Sequence, residues 1–213
     1  MRNGMCPHFS RSHLHSPVKE QRPMSILSSA QANKEAILTA AGLIMAAITT
    51  SPKARGVSSV CSVLIQGEEK ERLAKAMEDH APRKSFNQEM FLRDAKNIRS
   101  SEAVLLIGVK GSMPKKPEKP LNCGACGHST CAQFIRAGKK RGEEFVGPLC
   151  AFQVMDLGIA LGVAAKLAAE LNIDNRLMYS AGAAAMTLGL LEADMVIALP
   201  LSISEKNIFF DRA

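Results

Sequence analysis

The sequence predicts an α/β (α+β) domain: a few strands packed by Ala/Gly-rich helices, with a short cysteine-rich segment inserted. Three observations carry this. Residues 59–66 and 102–109 are apolar, β-rich runs of strand length. The segments between and after them repeat apolar residues at helical spacing. Four of the six cysteines are confined to positions 123 to 150. A chain of 213 residues can bury roughly 70% of its unfolded surface as one domain. Residues 24–213 are therefore read as a single domain containing the cysteine segment 111–151. Residues 1–23, rich in His, Ser, Pro and Arg without periodicity, are read as a disordered tail, with Met24 as the true start.

The elements follow in order. Residues 28–49 predict a helix, with Ile37, Leu38, Ala41, Ile44, Ala47 and Ile48 at helical spacing. Ser51-Pro52-Lys53-Ala54-Arg55-Gly56 ends it. The strand 59–66 holds Cys61 as a small buried hydrophobe. Residues 68–79 predict a charged helix with Leu73, Ala76 and Met77 inward, and 87–99 another with Phe91, Ala95 and Ile98. Residues 102–109 (Glu-Ala-Val-Leu-Leu-Ile-Gly-Val) read as a buried central strand. A proline- and lysine-rich loop, 111–121, leads into the cysteines. A short helix follows Cys131, then a basic turn at Lys139-Lys140-Arg141.

Residues 151–171 predict the longest helix, with Gly158, Gly162, Ala165 and Ala169 on one face. That small-residue stripe suits a closely packed helix, either inside the chain or from a second copy. Residues 174–190 predict its neighbour, rich in Ala and Gly, with Asp174-Asn175-Arg176 as cap chemistry. Strands at 194–199 and 206–210 close the list.

The chemistry sits in Cys123-Gly124-Ala125-Cys126-Gly127-His128-Ser129-Thr130-Cys131 and in Cys150, a C-x2-C-x4-C-x18-C spacing. Four thiolates at one place suit an iron–sulfur cluster or a zinc ion. Gly124 and Gly127 each follow a cysteine directly. There they permit positive φ and close backbone approach, so that N–H groups can face sulfur. Cys131 opens an amphipathic run and falls in a first helical turn. The bland alternatives are a structural zinc or unligated or disulfide-bonded cysteines; His128 could stand in for Cys150 as a zinc ligand, but reads first as a solvated loop residue.

The C-G-x-C-G-x-x-x-C motif with a lone distant cysteine resembles the small 4Fe-4S domain of the gamma subunit of acetyl-CoA decarbonylase/synthase. It also resembles the B subunit of Rnf-type electron-transport complexes. Those proteins often carry an aromatic residue and a proline where this chain has His128 and Ser129. The chain from about Met24 onward is similar to an uncharacterised family described only as containing a ferredoxin domain. The resemblance implies a 4Fe-4S cluster on Cys123, Cys126, Cys131 and Cys150, single-electron transfer, and a partner such as a ferredoxin.

The order of elements, and the Val-Ile-Ala-Leu-Pro-Leu strand in particular, is similar to the flavin-dependent nitroreductase fold. That likeness implies a mixed sheet, a homodimer and FMN. Those enzymes usually carry an arginine- and serine-rich motif before the first helix; residues 24–35 have none. Lys53, Arg55, Lys206 and Arg212 are the charges left to hold a flavin phosphate, though singly each reads first as a solvated side chain.

Other constellations are thin. No G-x-G-x-x-G, P-loop, G-x-S-x-G or H-E-x-x-H occurs. Asp156 reads either as functional or as stabilising a helix start, Tyr179 as a half-buried core residue, Glu143 and Glu144 as solvated. Cys6, His8, His13 and His15 lie in the tail with no fold around them. The net charge of +7 is scattered and without interleaved aromatics, against a nucleic-acid partner. No run reaches the roughly 18 uninterrupted apolar residues of a membrane span, and residues 1–23 hold no apolar signal segment. The cysteines suit a reducing compartment, so the expected location is cytoplasmic, in an anaerobe.

Overall fold

The computed structural model describes residues 26–210. Helix α1 (Ser29–Thr50) starts on a capping box between Ser28 and Gln31 and ends at Ser51. Strand β1 (Val60–Ile65) leads to the helices α2 (Glu68–His80) and α3 (Gln88–Ser100), and strand β2 (Ala103–Val109) follows. The cysteine segment contributes α4 (Cys131–Arg136) and a small hairpin, β3 (Lys140–Arg141) and β4 (Val146–Gly147). Then come α5 (Ala151–Glu170), β5 (Asp174–Asn175), α6 (Tyr179–Leu188) and β6 (Met195–Ser202).

The main sheet has the order β1-β2-β6-β5. Each of its ladders is antiparallel, where a mixed sheet was expected: Val60 faces Val109, Ala103 faces Leu201, and Asp174 faces Ser202. The connections explain this. The α2–α3 pair leaves one end of the sheet and returns to it, so β2 must run back against β1. The chain then crosses the sheet along α5, and returns along α6, before β6. Helices cover both faces, so β2 is buried along its whole length, as a central strand should be.

The two faces are distinct. Val104, Leu106, Val196 and Ala198 point toward α2, α3 and α6, against Leu73, Met77, Phe91, Ile98 and Ala184. Ala103, Leu105, Ile107, Leu199 and Leu201 point toward α1 and α5, against Ile37, Ala41, Ile44, Leu157, Ala160 and Ala164. The period of two along β2 thus feeds both cores.

Four further expectations need correction. The helix expected over 174–190 begins only at Tyr179, because Asp174 and Asn175 instead pair with β6 as an edge strand. That helix is not the neighbour of α5; it lies across the sheet, while α5 packs against α1. The strand expected at 206–210 is a turn. Cys61 is half-buried rather than fully buried. The tail expectations, with Cys6, His8, His13 and His15, fall outside the described residues, as does Arg212.

Candidate metal centre

One end of the sheet gathers the chemistry. It receives the C-terminus of α1, the start of β1, the end of β2 and the N-terminus of α5. The 111–121 loop leaves β2 here and is tied to the first turns of α5 at three points. The Cys150 N–H donates to the Gly111 carbonyl at 2.9 Å. Buried Gln153 donates to the Met113 carbonyl. Lys115 pairs with Asp156. Cys150, Gln153 and Asp156 are three residues apart along α5 and so share one helical face. Ser112 N–H adds a bond to Asp194 Oδ2 at 2.8 Å.

The cysteines hang from this scaffold. Cys123 and Cys126 flank a tight turn in which the Gly127 N–H donates to the Gly124 carbonyl at 2.9 Å. Gly124 and Gly127 have φ of +76° and +84°, values that L side chains rarely adopt. No heavy atom lies within 4 Å of where their Cβ atoms would stand, so the backbone is open on that side. Cys131 is the first residue of α4, behind a capping box of Thr130 and Gln133, and its N–H donates to Asn122 Oδ1 at 2.9 Å. Phe134, fully buried, anchors this short helix. Cys150 is the N-cap of α5.

Cys123, Cys131 and Cys150 line one cavity together with Ala54, Arg55, Pro114, Lys115, Lys116, Leu121 and Phe152. Cys126 sits on the adjoining turn, outside the lining. All four carry free thiols. Among the described residues, no three His, Cys, Asp or Glu side chains converge on a single-ion site. Three of the thiols border the same cavity, and the fourth stands on the turn beside it. A soft, all-sulfur donor set suits an iron–sulfur cluster or a zinc ion.

The sequence carries no sign that Lys115 lines the cavity or that it pairs with Asp156. The Lys115 side chain is 3% exposed and that of Asp156 is 2% exposed. Lys115 Nζ also donates to the Val57 carbonyl at 2.7 Å, and Asp156 Oδ1 accepts from the Ala54 N–H at 3.0 Å. Burial holds the Lys115 ammonium below the ordinary lysine range, with the nearby Cys150 pulling the other way. For Asp156 itself the available signal was the inward face of α5: Gln153 and Asp156 are polar residues buried on an otherwise apolar helix.

The four charges considered for a flavin phosphate do not assemble. Lys53 Nζ donates to the Thr49 and Ser51 carbonyls and so caps the end of α1. Arg55 bonds the Lys119 carbonyl at the cavity rim. Lys206 follows β6 beside Asp174 and so lies at the opposite end of the sheet. Of the basic run, Lys139 is held over the Phe134 ring and bonds its carbonyl, away from the cavity lining. Glu143 is exposed, but Glu144, expected to be solvated, is buried beside His80 and Lys84. Tyr179 is part-exposed and meets Phe91 and Phe145 edge-on. His128 leans on Phe134.

A protein of Archaeoglobus fulgidus, described only as uncharacterised, is 43% identical over 188 residues, which cover 88% of this chain and 98% of that protein. The model of the family described as "Uncharacterized protein containing a ferredoxin domain (DUF2148)" matches residues 146–212. The chain belongs to this ferredoxin-domain family. The family-model match includes Cys150 and stops short of the other three cysteines. A ferredoxin-domain family points to redox chemistry.

Among solved structures, the nitroreductase CinD from Lactococcus lactis in complex with nicotinic acid has a TM-score of 0.52. It shares 12% identity, and the match covers 85% of this chain and 82% of that one. A nitroreductase with bound FMN from Desulfitobacterium hafniense gives 0.51 and 11%, over 79% and 78%. The fold of the family member is therefore nitroreductase-like.

Proposed function

We propose that this protein is an iron–sulfur redox protein that holds one 4Fe-4S cluster on Cys123, Cys126, Cys131 and Cys150. The observation that carries the reading is the cavity bordered by three of these thiols at the N-terminus of α5. Such a cluster supplies one-electron transfer when bound. The chain's own part is to hold four thiolates, present the open Gly124–Gly127 backbone to sulfur, and keep one wall of the centre dry with Pro114, Leu121 and Phe152. The basic rim at Arg55, Lys116 and Lys119 suits an acidic one-electron partner, such as a ferredoxin.

A flavin is the second reading, favoured by the fold and by the FMN named with the Desulfitobacterium structure. Of the four charges expected to serve it, Lys53 and Arg55 lie at this end of the sheet, and both already bind carbonyls. The reading also takes the protein to be cytoplasmic, in a reducing environment. A second copy of the chain is its natural partner, across the outer faces of α1 and α5.

The test is anaerobic purification followed by iron, zinc and acid-labile sulfide analysis. Close to four irons and four sulfides per chain, with absorption that bleaches on reduction, is the expected result. Flavin bands in the same spectrum would extend the reading to a flavin-linked oxidoreductase. One zinc and no sulfide would overturn it in favour of a structural metal domain.

A further inference from the structure

We infer that the buried Lys115–Asp156 pair sets the reduction potential of the centre on the four cysteines. This rests on the cluster reading above and adds to it a residue-level control of electron affinity. Lys115 borders the same cavity as Cys123, Cys131 and Cys150. Its ammonium is held in place by Asp156 and the Val57 carbonyl, and Asp156 in turn by the Ala54 N–H. Both charges are withdrawn from water, so neither is screened as a surface charge would be.

A purely structural role explains less. The pair does join three segments: the 111–116 loop, the 54–57 turn and α5. A staple between backbones needs hydrogen bonds, not charges, and buried ion pairs are often replaced by apolar residues without loss of stability. A charge pair against four thiolates has a consequence that neutral groups lack. One-electron reduction, with the electron supplied by an external donor, makes or breaks no covalent bond. It adds one negative charge beside Lys115. The ammonium favours the reduced state and the Asp156 carboxylate opposes it. The two residues therefore act on the potential with opposite signs, with Lys115 nearer the cysteines.

The experiment is a potentiometric titration of the anaerobically purified full-length protein, followed by electron paramagnetic resonance. Lys115→Met should lower the equilibrium constant for reduction by about tenfold, which is about 59 mV for one electron. Asp156→Asn should raise it. Lys115→Arg, which keeps the charge, should stay within about twofold of the parent, or about 18 mV by the same constant. Should Lys115→Met fail to fold, Asp156→Asn carries the test of sign, with Lys115→Arg as the charge-preserving control, and a lowered potential in Asp156→Asn would overturn the inference. Shifts of one sign in both charge-removing variants, or none beyond twofold, at unchanged iron and sulfide content, would overturn the inference. Parent protein without iron and sulfide would instead overturn the cluster reading on which it rests.

Discussion

At Gly182 an added Cβ would lie 2.0 Å from the carbonyl oxygen of Val196 and 2.6 Å from its carbonyl carbon. The obstacle is backbone in a central strand, which cannot rotate away as a side chain would. The helix α6 therefore rests directly on β6 at this point, and Gly182 is there because nothing larger fits. Gly182→Ala should destabilise the protein by about 1–3 kcal/mol, as overpacking does. At this size that is roughly 2–4 °C of melting temperature per kcal/mol. Thermal unfolding followed by circular dichroism is the measurement, and an unchanged midpoint would mean that the helix stands off the strand. The sequence marks Gly182 only as one small residue in an alanine-rich run. Lys115 poses the same difficulty: it stands beside Lys116 in a loop of lysines and prolines, and nothing local says which of the two turns inward. The cysteines were legible because ligand identity and spacing are themselves the chemistry. The buried partners were not, because burial is decided by what packs on them from far along the chain.

The hairpin of β3 and β4 shows how an element creates a titrating group. Its Glu144 is carried into the gap between α2 and α3, where it meets Lys84 and lies 3.7 Å from His80 Nε2. His80 is buried at the end of α2 and stacks on Phe91 at 5.0 Å. Its pKa is lowered from 6.5, first by burial and then by Lys84 and Arg83, while Glu144 and Glu143 pull upward. The folded state then binds fewer protons than the unfolded one just below pH 6.5. Stability from this group is therefore complete above the unfolded value and is lost as pH falls through it, by at most about 1.4 kcal/mol per pH unit. Urea unfolding at about pH 7.5 and about pH 5.5 should show the parent losing more stability than His80→Gln. Equal losses would mean that His80 does not titrate differently on unfolding. At this scale most helices and all three long strands, β1, β2 and β6, were readable, since each carries its own pattern. The errors lay where partners decide. Residues 174–178 have helix-compatible neighbours, yet Met178 exchanges hydrogen bonds with Ala198, and Asp174 and Asn175 pair with Ser202 and Leu201. Residues 206–210 look strand-like, but that sheet edge is already taken by β5.

At the scale of the whole molecule, the layer of α1 and α5 is apolar on its outward side as well as its inward one. Leu43 is 52% exposed and Met155 59%, with Leu38 and Ile159 also open to solvent. Helix α5 is the one described helix whose length and hydropathy would suit a membrane span, yet its inner face packs on α1 and the sheet through Leu157, Ala160, Ala164 and Ala168. Its Gly158 and Gly162 have no heavy atom within 4 Å of an added Cβ, so these two residues of the small-residue stripe face open space in the described chain, while Ala165 packs against the core. An apolar outer face with a groove of small residues is what a second copy would bury, at roughly 800 Å² per partner for a standard interface. Gly162→Glu separates this from a purely internal role of the stripe. In a lone chain the substitution meets open space and replaces a helical glycine, so it should stabilise α5 by up to about 1 kcal/mol. In a dimer closed over that stripe it places a carboxylate in an apolar contact and should split the assembly. Sedimentation of parent and variant over a range of concentrations reads the difference. A parent that is dimeric and a variant that is monomeric with its fold intact is the expected outcome. A monomeric parent, or a dimer indifferent to the substitution, would exclude this face as the contact between copies.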